Sequence, residues 1–139
     1  MWEYEHSLVA DVTPEAVWAL YRDPESWLRW DHGLAAIALH GPFEVGTKGV
    51  LTPKGQDELP FTLTEVEPDR RFADETAVNG LVLHFIHTLE PQEDGRTRIT
   101  HRVEITGPAA PDLAPHVGPA VTAGIPATLT RLADLAAAA

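Results

Sequence analysis

Four side chains that can hold or pass a proton stand where strand alternation groups them: Tyr4, His6, His87 and His101. Histidine titrates near neutral pH, and tyrosine supplies a hydroxyl. Two long β-rich runs, Leu81 to Glu90 and Arg96 to Thr106, flank Pro91-Gln92-Glu93-Asp94-Gly95. Such runs around a short loop ending in Asp-Gly read as a hairpin. A register that sets Leu89 opposite Ile99 also sets His87 opposite His101, Phe85 opposite Val103 and Leu83 opposite Ile105. That face is otherwise apolar. Near the start of the chain Trp2, Tyr4, His6 and Leu8 alternate with Glu3, Glu5 and Ser7, the pattern of a half-buried strand. Tyrosine and histidine inside an apolar hollow can move protons in an aldol-type cyclisation or a dehydration. The plainer expectation for each is a hydrogen-bonded core or rim role, and one bulge reverses its facing.

The other chemistry-bearing residues are weaker candidates. His6, His87 and His101 form a conceivable three-histidine metal site, but no short His-x-His or His-x-x-x-His pair supports it, so no metal and no cofactor is expected. His84 and His87 are three apart on a strand and point to opposite faces. His32, His40 and His116 fit surface or cap roles. Glu65 and Asp74 lie on strands whose facing the pattern leaves open. Solvated surface is the ordinary expectation for both; an inward one would be a general base with a raised pKa. Asp23 and Asp31 read as helix terminators. Trp18, Trp27 and Trp30 are expected to pack two short helices onto a sheet. Gly46-Thr47-Lys48-Gly49 lacks the spacing of a phosphate loop, and no Gly-x-Ser-x-Gly elbow occurs.

The elements that must position these groups are legible. A strand over Trp2–Ala10 precedes Thr13-Pro14-Glu15, where Thr13 caps a helix, Pro14 suits its first position and Glu15 favours its dipole. Asp23-Pro24 stops that helix, and Glu25 to Trp30 is one further short helical segment. Strands follow over Ala36–His40, Gly49–Thr52, Leu59–Val66 and Arg71–Val78, separated by Gly41-Pro42, Pro53-Lys54-Gly55 and Glu67-Pro68-Asp69. After the hairpin, Pro111 to Leu135 reads as one long helix. Leu113, Val117, Val121, Ile125, Thr128, Leu132 and Leu135 recur along one of its faces. Pro115, Pro119 and Pro126 inside it call for a late start, a kink near Gly124 to Pro126, or both. The fold class is α+β: a curved antiparallel sheet of about seven strands wrapped around a long C-terminal helix, with a hollow between them.

The chain has 139 residues, which suits one domain over 1–139. Cysteine is absent, which excludes disulfides and thiolate chemistry and suits a cytoplasmic protein. The 21 acidic residues outnumber the 10 Lys and Arg, giving a net charge of −11. Such a surface repels phosphate backbones and anionic lipid, so neither nucleic acid nor membrane is an expected partner. No run approaches the roughly 18 apolar residues of a membrane span. Met1-Trp2-Glu3-Tyr4-Glu5 lacks the basic and apolar regions of a signal peptide.

The run Val12-Thr13-Pro14-Glu15-Ala16-Val17-Trp18, with Asp23-Pro24, Trp27 and Trp30-Asp31, resembles the opening of the polyketide cyclase/dehydrase-like family of the START-like (SRPBCC, helix-grip) superfamily. Gly41-Pro42-Phe43-Glu44-Val45-Gly46-Thr47 is similar to its second-to-third strand connection. Glu65-Val66-Glu67-Pro68-Asp69-Arg70-Arg71-Phe72 is similar to its fourth-to-fifth strand turn, and Gly95-Arg96-Thr97-Arg98-Ile99-Thr100-His101 to its last hairpin. The resemblance implies the helix-grip fold and a cavity, with the first strand beside the last, so that His6 approaches His101. It does not imply one reaction. Such relatives include aromatase/cyclases, plant hormone and lipid binders, and activators of a chaperone ATPase.

The expected function is binding of a hydrophobic small molecule, polyketide-like, aromatic or lipid. Trp30, Leu83, Phe85, Val103, Val117, Val121 and Ile125 are expected to line its site. An aromatase/cyclase or dehydratase using Tyr4, His6, His87 and His101 is the alternative, which leaves enzyme status open. A chaperone-activator type of interaction module is a third reading and predicts a filled interior. Monomer and homodimer both remain open.

Overall fold

A computed structural model describes residues 1–139. Strand β1 (Trp2–Ala10) leads into α1 (Pro14–Tyr21), where the Ala16 backbone N–H donates to the Thr13 hydroxyl oxygen at 3.1 Å. Pro14 takes the first helical turn, where its missing N–H has no partner to lose. A 3₁₀ turn, Pro24–Ser26, runs straight into the one-turn helix α2 (Trp27–Trp30). Then come β2 (Leu34–Leu39), β3 (Lys48–Pro53), β4 (Leu59–Glu67), β5 (Arg71–Val78), β6 (Leu81–Pro91) and β7 (Thr97–Thr106). The strands form a 7-stranded sheet in the order β1-β7-β6-β5-β4-β3-β2, antiparallel at every pairing. This is the expected helix-grip architecture. No helix is long and apolar enough to cross a membrane.

The hairpin register agrees with the sequence reading at all four positions. Leu89 faces Ile99, His87 faces His101, Phe85 faces Val103 and Leu83 faces Ile105. His6 lies opposite His101 across the β1–β7 pairing.

The C-terminal helix departs from expectation. It is two helices, α3 (Ala110–Thr122) and α4 (Ile125–Ala138). The start is not delayed: α3 runs through Pro115 and Pro119. The chain breaks at Ala123-Gly124, because Pro126 has no N–H to continue the ladder. The Thr128 N–H then donates to Gly124 O at 2.9 Å and restarts it.

The residues that face the sheet also differ from the expected ones. The face read through Leu113, Val117 and Val121 is not the buried one: Val121 is 38 % exposed, as is Leu113. Helix α3 buries Ala110, Ala114, Gly118 and Thr122 instead. Small residues let it approach β1 closely. A Cβ added at Gly118 would lie 2.4 Å from the Trp2 ring. Helix α4 continues that face and buries Thr128, Leu129, Leu132, Ala133 and Ala136.

The interior holds two apolar clusters. The larger joins α1, α2 and α4 to the sheet through Trp18, Tyr21, Trp27, Phe72, Ile99 and Leu132, among others. The smaller lies under α3 and contains Leu81, Leu83, Val103 and Ile105. Along β7 the clusters are separated by one residue, His101, between Ile99 and Val103. Along β6 the separating residues include His87, and along β5 Asp74 and Thr76. A polar strip therefore crosses the inner face of the sheet.

Candidate functional site

The strip is built by period-two alternation. Phe72, Asp74 and Thr76 share one face of β5. Phe72 pairs with His87, Asp74 with Phe85 and Thr76 with Leu83, so these residues stand beside the inward residues of β6. Next to them β7 supplies His101. Tyr21, from the last turn of α1, closes the strip from above: its hydroxyl shares a 2.8 Å hydrogen bond with His101 Nε2.

His87 is held from two sides. Its ring stacks on Phe72 at 3.9 Å with the planes 5° apart. Its Nδ1 lies 3.1 Å from the Phe72 carbonyl oxygen, which can only accept. The proton of neutral His87 therefore sits on Nδ1, and Nε2 carries a bare lone pair. His101 meets His87 edge-on, with ring centres 4.7 Å apart.

Burial sets the charges. It pushes the His87 pKa down to about 4, against the opposing hydrogen bond to Phe72. It drives His101 well below the usual histidine range, with His87 adding to the shift. It raises the Tyr21 hydroxyl well above its ordinary value. Burial also raises Asp74 to about 8, with the negative charge of Asp31 adding to it. At neutral pH both histidines are neutral, and Asp74 is mostly protonated.

Several of these polar atoms have no partner in the protein. Thr76 Oγ1 is sealed and unpaired, the one buried side-chain polar atom in that state. The Asp74 carboxyl, His87 Nε2 and His101 Nδ1 make no protein hydrogen bond either. Inward residues around them, Tyr4, Phe85, His87 and Ile125, keep part of their surface while Val103 and Ile105 keep none.

The residues singled out in the sequence are brought together unequally. His87 and His101 are in contact. His6 lies in register beside His101, but its side chain is exposed. Tyr4 faces Val103 and is half-buried. Trp30 is packed against Tyr21 and His101, with ring centres 5.8 and 6.1 Å away. Leu83 and Val103 are buried in the smaller cluster, and Phe85, Val117 and Ile125 pack at its margin. Val121 is exposed, for the reason given above. His84 faces outward, 3.5 Å from Glu75, and His32, His40 and His116 are exposed.

Asp74 corrects the expectation of solvated surface: it is 4 % exposed and faces inward. The signal was its parity with Phe72 and Val78, opposite Arg71 and Glu75. Parity with Phe61 and Leu63 would have turned Glu65 inward too. A bulge between Leu63 and Glu65 turns it out, where it pairs with Arg71. Thr76 was missed despite the same parity, and Tyr21 because its role depends on a contact with His101, 80 residues away. The outer face of the sheet has a groove of about 460 Å³, lined by charged and hydroxyl side chains such as Arg71, Arg98, Arg102 and Glu104. It offers an apolar molecule nothing comparable to the interior.

A seven-stranded antiparallel sheet gripping a bent C-terminal helix, with two short helices after the first strand, defines a START-like (SRPBCC) protein. The chain belongs to the polyketide cyclase/dehydrase and lipid transport family, which it matches over residues 1–137. Among curated proteins none matches its sequence. Its fold is similar to that of a hypothetical protein of Helicobacter pylori, at 20 % identity and a TM-score of 0.80, over 96 % of this chain and 87 % of that one. It is also similar to Ara h 8.0201, at 14 % identity and a TM-score of 0.77, over 99 % of each chain. Norcoclaurine synthase of Thalictrum flavum, in complex with a transition-state analogue, aligns at 15 % identity and a TM-score of 0.74, over 97 % of this chain and 93 % of that one.

Proposed function

We propose that this protein, as one START-like domain over residues 1–139, binds an apolar small molecule between the sheet and the bent helix. The observation that carries this is the polar strip. Asp74, His87 and His101 face inward, each with a polar atom that has no protein partner, and apolar clusters flank them on both sides. Binding sites for small molecules are mostly apolar with a few fixed polar groups. The family description, cyclase or dehydrase chemistry and lipid transport, fits a substrate or a cargo of that kind.

The test is mass spectrometry of small molecules extracted from purified protein. The wild type is compared with a His87→Phe, His101→Phe double variant whose folding is checked by circular dichroism. A molecule retained by the wild type and lost by the variant supports the reading. No retained molecule, together with flat thermal shifts against a panel of polyketide-like, aromatic and lipid compounds, overturns it in favour of an interaction module.

A second reading, acid–base catalysis, is favoured by one observation. Asp74 carries its proton near neutral pH and shares the strip with the bare Nε2 of His87. In that reading Asp74 is the acid, since a histidine whose pKa is about 4 is a weak base. Turnover of a polyketide-like substrate that survives Asp74→Asn removes it.

A further inference from the structure

We infer that the molecule bound at the polar strip carries a primary or secondary ammonium on an apolar body, and that Asp74 is its counter-charge. This rests on the interior-ligand reading above and names the chemistry of the ligand's polar end.

Asp74 is 4 % exposed, aims inward from β5 and accepts no hydrogen bond from the protein. Buried carboxylates are normally paired or hydrogen-bonded, because burying one alone is costly. The missing donors must come from whatever occupies the space. His87 presents Nε2 as a lone pair, since its only N–H goes to the Phe72 carbonyl. Once Asp74 is ionised, its two oxygens and His87 Nε2 are acceptors that no cation of the protein meets. An ammonium brings three donors and no acceptor, as a lysine head group does. A carboxylate would set a second negative charge against Asp74, and a ketone or an alcohol could hydrogen-bond the un-ionised acid but would bring no charge to pair with it.

The charges agree. No basic side chain acts on Asp74, and the one further charge that does is the carboxylate of Asp31. Arg131 donates to the Trp30 carbonyl, and its charge acts on Asp31. His87 and His101 are neutral in the interior. Phe85, the β6 partner of Asp74, keeps part of its aromatic surface, and aromatic faces attract cations. The net charge of −11 draws cations toward the molecule. No covalent step is involved. The empty site holds a carboxylic acid near neutral pH, and an arriving ammonium converts it to a carboxylate and releases its proton to solvent.

Calorimetry with a matched pair of probes, phenylpropylamine and phenylpropanol, tests this at pH 7 in two buffers of different ionisation enthalpy. The wild type is expected to bind the amine at least about tenfold more tightly than the alcohol and to release about one proton with it. Asp74→Asn is expected to lose that preference while binding the alcohol as before. Equal binding of both probes by the wild type, no proton release, or a preference that survives Asp74→Asn overturns the inference and leaves the interior-ligand reading standing. Binding of neither probe at millimolar concentration removes both. The proton count is read on the wild type alone, so the result stands even if the variant fails to fold.

Discussion

The Tyr21 hydroxyl lies 2.8 Å from His101 Nε2, and no other hydrogen bond ties a side chain of α1 to the strands below it. Both groups are buried and neutral, so neither can turn to water if the other is removed. Tyr21→Phe keeps the ring, its edge contacts to Trp18 and Phe72, and nearly all of the buried area. What it removes is one hydrogen bond, leaving a buried ring nitrogen unpaired. The expected loss is about 1–3 kcal/mol in urea unfolding at constant m-value. A variant as stable as the wild type would mean that the pair is not formed in solution.

The two inner histidines should make stability depend on pH in a defined direction. The folded pKa of His87 is about 4, and an unfolded histidine has about 6.5. The unfolded chain therefore takes the proton first, and stability is lost as pH falls from about 6.5 toward 4. His101 acts in the same direction. His87→Phe removes one of these penalties. Relative to wild type, the variant is expected to gain about 2 kcal/mol on going from pH 7 to pH 5, measured by denaturant unfolding at both values. A difference that does not change with pH would place His87 in contact with bulk water.

Asp74 should do the opposite in the next range up. Its folded pKa, about 8, lies above the roughly 3.9 of an unfolded aspartate. The folded state holds the proton longer. Stability is therefore fullest below the unfolded value and is lost as pH rises toward 8. Between pH 6 and pH 8 the wild type should lose about 2 kcal/mol through this group, and Asp74→Asn should be nearly flat over the same range. Equal slopes for the two proteins would mean that the carboxyl is solvated or paired.

Period-two alternation carried much of this site, and tertiary packing hid the remainder. The facing of His87 and His101 was legible because Leu83, Phe85 and Leu89 on one strand, and Ile99, Val103 and Ile105 on the other, admit one register. The same parity argument holds for Asp74 on β5 and fails for Glu65 on β4, where a bulge intervenes that nothing in the local sequence announces. His6 is in register with His101, but its exposure depends on where the helices stop covering β1. The helix face drawn through Val117, Val121 and Ile125 assumed one continuous helix. The buried face instead runs through Ala114, Gly118, Thr122, Leu129, Leu132 and Ala136, so the small residues of α3 face in while Leu113 and Val121 stay exposed.

That inversion gives a last prediction. Gly118 lies inside α3, and glycine in a helix interior is normally about 0.5–1 kcal/mol worse than alanine. On propensity alone Gly118→Ala should stabilise. Here the new Cβ would fall 2.4 Å from the Trp2 ring, at a position packed between α3 and β1. The half-buried ring would have to shift, and overpacking of this kind typically costs about 1–3 kcal/mol. The expected sign is therefore a loss. Gly124→Ala is the control. Gly124 has φ of −85° and ψ of −6°, and a Cβ there would meet nothing within 4 Å. Alanine fits that backbone and restricts the unfolded chain, so a gain of about 0.4–1 kcal/mol is expected. Thermal unfolding of the two variants side by side decides the matter. Gains at both positions would mean that α3 does not rest on Trp2, and that the helix face the sequence suggested is the buried one after all.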